Sequence, residues 1–305
     1  VPGSRRGFAL LAVLWALVIT ASLAAELHVG VRGDQRIAAN ARAEARLRWA
    51  ARGGLAVSLE SLRARLASAS ATGALVTTDT LIVPAQETEL DRVQVRATVV
   101  DARAKLQLNL ATYDELAALF EAVGYGEGDA RTLASAVARW RAEHLPPYEA
   151  LPTDSSGTRL RPPRGAFAAV EELRAVPGVS AAAYASAAPY LTVDSDGHIN
   201  LNTAPPAVLR TLPGIDEAGA ARVLERRRKS PFLSPYEVVE ALPREGRERA
   251  QARLAELIAR TAFVPREAEV RVTARTAGSP LAARIRAVAV MPGGPRLPVV
   301  SVVER

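Results

Sequence analysis

The sequence predicts an α+β fold: a long N-terminal helix packed on a small antiparallel sheet, with a large all-α domain inserted between the strands. Three observations predict it. Helical patterning, first apolar and then amphipathic, runs from Phe8 to Leu66. Two-residue alternation with β-branched residues appears in two places only, before Asp101 and from Glu269 onward. Between them, residues 109–262 read as helices and turns and contain an internal repeat.

The first element begins with an apolar run. Eighteen residues from Phe8 to Ala25 carry no charge, with Arg5 and Arg6 before them and Glu26 after. At about 1.5 Å per residue this makes a helix of roughly 27 Å, close to the hydrocarbon thickness of a bilayer. The two arginines favour a cytoplasmic N-terminus, which puts everything after Glu26 on the far side. A secretory signal peptide competes with this reading, since Ala21-Ser22-Leu23-Ala24-Ala25 offers small residues for cleavage. Beyond it, Gly30 and Gly33 each weaken the helix by about 1 kcal/mol relative to alanine. Leu55, Leu59, Leu62 and Leu66 then form one stripe of a 3.6-residue period, the face that lies on a globular domain. Gly53-Gly54 is the candidate bend.

The strands follow. Leu81-Ile82-Val83 and Val93 to Val99 alternate, Asp101 to Lys105 is a turn, and Leu106 to Leu110 is expected to return as a strand. Glu269 to Arg275, Ala283 to Val290 and Leu297 to Val303 complete the set, with a turn at Met291-Pro292-Gly293-Gly294-Pro295.

The inserted region opens twice in the same way. The first copy opens Leu108-Asn109-Leu110-Ala111-Thr112 and the second Ile199-Asn200-Leu201-Asn202-Thr203-Ala204, and each leads into a helix, a glycine turn and a second helix ending in arginines. Asn and Thr are expected to cap the first helix of each unit. The turn Leu212-Pro213-Gly214-Ile215-Asp216 makes the second unit resemble a helix-hairpin-helix, so the inserted domain is read as helix-hairpin-helix or SAM-like.

Composition sets limits. The chain of 305 residues holds one large or two medium domains. The absence of cysteine excludes disulfides, thiolate catalysis and cysteine-ligated zinc. The net charge of +7 comes almost wholly from arginine, with lysine only at Lys105 and Lys229; this bias reads as composition rather than as a nucleic-acid footprint.

At the junction Arg6-Gly7-Phe8, a basic leader ends in glycine and an aromatic residue opens the apolar run. This resembles the leader of type IV pilins and of the pseudopilins of type II secretion. The resemblance implies that a prepilin peptidase cuts between Gly7 and Phe8 and methylates Phe8, and that the apolar segment later packs into a filament. Most pilins carry Glu at the fifth mature residue; here it is Ala12, and among pseudopilins that lack marks the GspK family of large minor subunits. The order of Leu108-Asn109-Leu110, Ala138-Arg139-Trp140, Phe167, Glu171-Glu172-Leu173, Val176-Pro177-Gly178-Val179, Pro189 to Val193 and Ile199 to Ala204 is similar to that family from Arg6 to about Leu242. Arg139 stands where the family often has Asp before Trp, and the stretch from Arg141 to Arg161 departs from the family pattern.

The resemblance implies a leader at 1–7, a transmembrane helix at 8–26, a pilin-like α+β domain at 27–108 and 263–305, and an inserted helical domain at 109–262 with repeats at 109–193 and 199–262. It implies a structural, non-catalytic subunit in the inner membrane. The N-terminus would be cytoplasmic and the C-terminal domain periplasmic, capping the tip of the pseudopilus and helping to initiate its assembly. The implied partners are the other minor pseudopilins, the major pseudopilin, the prepilin peptidase, the inner-membrane secretion platform and the lipid bilayer.

No constellation for catalysis is present. His28, His144 and His198 lack metal-ligand spacing. Asp194-Ser195-Asp196-Gly197-His198 begins like a calcium loop without its distal Glu, and with Asp154 supplies the calcium candidates; the plain reading is a turn before Ile199. The alternative function is a membrane-anchored helix-hairpin-helix DNA receptor of the competence type. Asp216 opposes it, because a carboxylate where the hairpin's second Gly would stand repels phosphate. Nucleic acid is therefore not an expected partner.

Overall fold

The computed structural model describes residues 4–72, 78–144, 166–291 and 299–304, and their side chains except at 4–12, 23–34, 36, 69–72, 143–144 and 299–301. In chain order the elements are α1 (Ser4–Thr72), β1 (Leu81–Leu90), β2 (Val93–Asp101), β3 (Leu106–Gln107), α2 (Tyr113–Ala122) and α3 (Glu127–His144). Then come α4 (Ala181–Ala187), β4 (Leu191–Thr192), β5 (Ile199–Asn200), α5 (Pro206–Leu209), α6 (Glu217–Lys229), α7 (Pro235–Ala241), α8 (Arg244–Ala252) and α9 (Leu254–Arg260). The chain closes with β6 (Thr261–Ala262), β7 (Glu267–Thr276), β8 (Ala282–Val290) and β9 (Val299–Glu304). The fold is α+β, as the alternation of the strands predicts.

Five strands form one antiparallel sheet in the order β1-β2-β7-β8-β9. β1 and β2 are joined by Asp91 and Arg92, both at positive φ (49° and 62°), the left-handed pair that lets a two-residue turn follow the natural twist of the strands. Alternation along β2 and β7 sends Val93, Val95, Ala97, Val99, Val270, Val272 and Ala274 inward, where they form a core with Leu47, Ala51 and Leu62 of α1. Leu55, Leu59 and Leu66 flank this core, so the leucine stripe is the packing face.

The glycine pair does not bend the helix; α1 runs unbroken through it. Its physical role is close approach. A Cβ on Gly54 would lie 2.6 Å from Val95 Cγ1 and 2.9 Å from Val272 Cγ1, so only glycine lets the helix sit this near the sheet.

Contacts along α1 fix its direction. Arg46 meets Asp91 in the β1–β2 turn at 3.0 Å. Gly54 lies over Val95. Ser58 and Ser61 reach Gln86, which pairs with Ala97. The helix therefore advances from the hairpin turn towards Asp101, away from its apolar beginning.

At Asp101 the sheet stops, and it resumes at Glu267. The residues between build a separate hydrophobic cluster around Phe120, Phe167, Leu173, Leu191, Leu209, Val223 and Phe232. This helical body is attached at the end of the sheet towards which α1 runs. Two expectations are corrected here. Leu106 to Leu110 does not return to the main sheet: β3 is two residues long and pairs in parallel with β4, while β5 pairs in parallel with β6. Such short pairings form because the helices on either side bring distant segments together, which local periodicity does not encode. Second, Asn and Thr do not share the capping role. Thr112 caps α2 in a reciprocal box with Glu115, but α5 has no side-chain cap, and both asparagines bond elsewhere.

The turn expected at residues 291–295 lies, beyond Met291, outside the described residues. Among the described residues no helix is long and apolar enough to cross a membrane. Within the apolar run the described side chains are exposed, and Val13, Leu14, Trp15, Leu17, Val18 and Ile19 are each at least half exposed.

Candidate assembly site

Two constructions give the molecule its shape: a duplicated lock within the helical body, and a charged clasp holding that body to the sheet.

The lock is built twice from equivalent groups. Asn109 accepts from the Phe167 N–H (2.8 Å) and donates to the Phe167 carbonyl (2.9 Å). Asn202 does the same with Phe232 at the same distances, and donates also to the Phe263 carbonyl (2.9 Å). Arg141 donates to the carbonyls of Leu108 and Ala111; Arg227 donates to those of Leu201 and Ala204. The N–H of Asn109 is held by the side chain of Gln107, and that of Asn202 by Asn200. Each unit thus pins its opening turn to its second helix and to a phenylalanine in its core. An amide side chain suits this task because it offers one acceptor and two donors on a short stem.

The clasp has three parts. Asp101, fully buried at the end of β2, accepts from Asn200 Nδ2 and Thr203 Oγ1 of the helical body, both at 2.7 Å, and from the N–H of Arg103. Burial pushes the Asp101 carboxyl up, while these donors pull it down, and burial prevails. Arg103 pairs with Asp196 of the helical body, lies 3.6 Å from Glu267 of β7 and donates to the Val264 carbonyl. Burial would raise Asp196, but the bonds from Arg103 and from the His198 N–H outweigh it and hold the carboxyl at about 2.

The third part centres on Glu269, which is wholly buried. Its carboxylate accepts from Lys105 Nζ (2.7 Å), Arg271 Nε (2.7 Å) and Arg286 Nε (2.6 Å). Arg286 also pairs with Asp194 of the helical body. Burial alone would raise Glu269; the three cations reverse this and hold it far below the ordinary carboxylate range.

The structure brings Asp194 and Asp196 to the same seam and pairs them with different arginines, Arg286 and Arg103. Among the described residues, no three His, Cys, Asp or Glu side chains converge as metal ligands. Asp154 lies outside the described residues. Gly7, Phe8 and Ala12 lie on the backbone of α1, and their side chains are outside the described set. Sequence reasoning missed Asp101, Lys105, Glu269 and Arg286.

The hairpin of the second unit also takes a structural part. Asp216 caps α6 by accepting from the Gly219 N–H (2.8 Å) and pairs with Arg249 of α8. Its carboxylate is thus the acceptor at the helix start, where a phosphate would have to come. The geometry does not favour the DNA-receptor reading.

Known proteins agree with this architecture. Two family models match, both described as type II secretion system protein K, over residues 92–195 and 199–258. Together they span more than half of the chain. No curated protein matches significantly. Among solved structures, a chain of the GspK-GspI-GspJ complex from the type II secretion system of enterotoxigenic Escherichia coli is similar, with 16% identity and a TM-score of 0.56. The match covers 86% of this chain and 99% of that chain. From the two family models, read with the shared fold, it follows that this chain belongs to the type II secretion system protein K family.

Proposed function

We propose that the protein is the minor pseudopilin that ends the periplasmic filament of a type II secretion apparatus, and that it acts as a structural subunit without catalysis. One observation carries this reading: the helical body is clasped to the end of the sheet towards which α1 runs, by Asp101, Arg103 and Glu269. A subunit added along α1 in that direction would meet this body. A subunit added from the other side would meet the apolar face of α1, whose described residues from Val13 to Ile19 stand exposed. Such a chain can terminate a filament but cannot be continued.

In this reading the segment 8–26 anchors the precursor in the inner membrane, with the N-terminus cytoplasmic. A prepilin peptidase cuts between Gly7 and Phe8 and methylates Phe8. The lack of Glu at Ala12 suits a subunit with no neighbour beyond it, since a carboxylate inside the apolar bundle needs a partner there. Other minor pseudopilins join through α1 and the sheet, as the GspK-GspI-GspJ composition of the similar complex suggests.

Co-expression with a prepilin peptidase and the other minor pseudopilins tests the proposal. The expected result is a mature chain that begins at methylated Phe8 and co-purifies with those subunits. A mature N-terminus near residue 26, the mark of a secretory signal, would overturn it.

A further inference from the structure

The face of the sheet opposite α1 is charged, and its cross-strand register is informative. Arg286, Arg271 and Thr98 share one row; Arg284, Thr273, Arg96 and Glu87 share the next; Arg275, Gln94 and Glu89 share the third. Two concavities open on this face and have Thr273 as a common wall. One, of about 470 Å³, lies between β7–β8 and the helical body. The other, of about 640 Å³, lies over β1, β2 and β7. Together they form a trough across the sheet.

The cations in the trough are not equivalent. Arg271 and Arg286 are committed to Glu269, and Arg96 lies 3.6 Å from Glu87. Arg275 and Arg284 are exposed, and among the described residues no carboxylate lies within ion-pair distance of either. They are diagonal neighbours across β7 and β8, a separation matched by two side chains at alternate positions of an extended chain. The facing wall is apolar, formed by Val170, Tyr184, Ala185, Ala188 and Pro189.

We propose that this trough docks an extended acidic segment of another polypeptide. Carboxylates at alternate positions reach Arg275 and Arg284, and an apolar side chain enters the cleft beside Tyr184. Charge placement selects a peptide over a uniform polyanion. Glu87 and Glu89 line the trough over β1 and β2, so a uniform polyanion such as a nucleic acid or an anionic bilayer surface meets repulsion there. A segment with acidic residues only in its middle does not. The inference is independent of where the subunit sits in a filament.

Fluorescence anisotropy on the full-length chain in detergent tests it. Three labelled probes are used: an extended peptide with Asp-Leu-Asp at its centre and uncharged residues on either side, its counterpart with lysine for aspartate, and a single-stranded oligothymidylate. The aspartate peptide binds, the lysine peptide does not, and the oligothymidylate binds at least about tenfold more weakly. Arg275→Glu combined with Arg284→Glu weakens the aspartate peptide by at least about tenfold without moving the melting temperature, because both side chains are exposed and have no ion-pair partner among the described residues. Ala185→Glu, on the apolar wall, weakens it as well. Failure of the aspartate peptide to bind, its undiminished binding to the doubly reversed variant, or equal or tighter binding of the oligothymidylate overturns the proposal.

Discussion

Removing the carboxylate of Glu269 is the sharpest perturbation of the clasp. In Glu269→Ala, Lys105, whose side chain is only 8% exposed, loses its ion-pair partner, and Arg286 keeps only Asp194. Breaking a buried pair from one side costs about 3–5 kcal/mol, because the remaining charge stays desolvated. At roughly 3 °C per kcal/mol for a domain of this size, the melting temperature falls by about 12 °C. The assay is thermal unfolding followed by circular dichroism, with the double variant Lys105→Met, Glu269→Leu in parallel. The double variant recovers part of the loss, since an apolar pair replaces the orphaned charge. The pH dependence has a definite sign. Glu269 is held below its ordinary value of 4.5, so its contribution is present above that pH and lost as pH falls towards the folded value. The parent therefore loses stability on acidification more steeply than Glu269→Ala. A variant that melts within about 3 °C of the parent, with the same acid slope, would refute the clasp as the joint between sheet and helical body.

Other outcomes follow from the lock, the glycines and the hairpin. Asn202→Ala removes three hydrogen bonds from a fully buried side chain and costs about 3 kcal/mol in denaturant unfolding; Asn109→Ala removes two and costs about 2. Equal, negligible losses at the two positions would refute the duplicated lock. Gly54→Ala destabilises by about 1–3 kcal/mol although alanine favours helices, because its Cβ meets Val95 and Val272. Gly214→Ala is worse than about 2 kcal/mol: φ is +78°, and the new Cβ lies 2.5 Å from the Ala250 nitrogen. A neutral result in either glycine variant contradicts the close packing described. Asp216→Ala costs about 1 kcal/mol through loss of the α6 cap. The Gly219 N–H holds the Asp216 carboxyl below its ordinary value, so this contribution fades as pH falls; melting of the variant is correspondingly less sensitive to acid.

The sequence made the large elements legible because their signals are local. The leucine stripe from Leu55 to Leu66 is read from period alone, and so are the alternating strands around Val95 and Val272. The two openings at Asn109 and Asn202 are visible as similar strings, but their physical role is not. Capping is the ordinary use of Asn before a helix, and only the fold shows that both amides reach instead to phenylalanines 58 and 30 residues away. The Gly53-Gly54 pair illustrates the same limit: glycine in a helix signals either a bend or a close neighbour, and the neighbour here comes from β2 and β7. The clasp was hidden for a related reason. Glu269 sits at an alternating position of a valine-rich strand, which reads as solvent-facing until the helical body covers it. One signal was available: Lys105 is one of only two lysines in an arginine-rich chain. A compact point charge suits a buried partner that the longer arginine fork would overfill. The charged residues of the loop at Asp194 and Asp196 were visible, but their arginine partners are 92 and 93 residues distant.

Placement in the filament is the claim on which the functional reading rests. Gold labelling of an affinity tag in the helical body, viewed by electron microscopy on assembled pseudopili, tests it most directly. The account predicts a single label per filament, at one end. Labels distributed along the filament would contradict it.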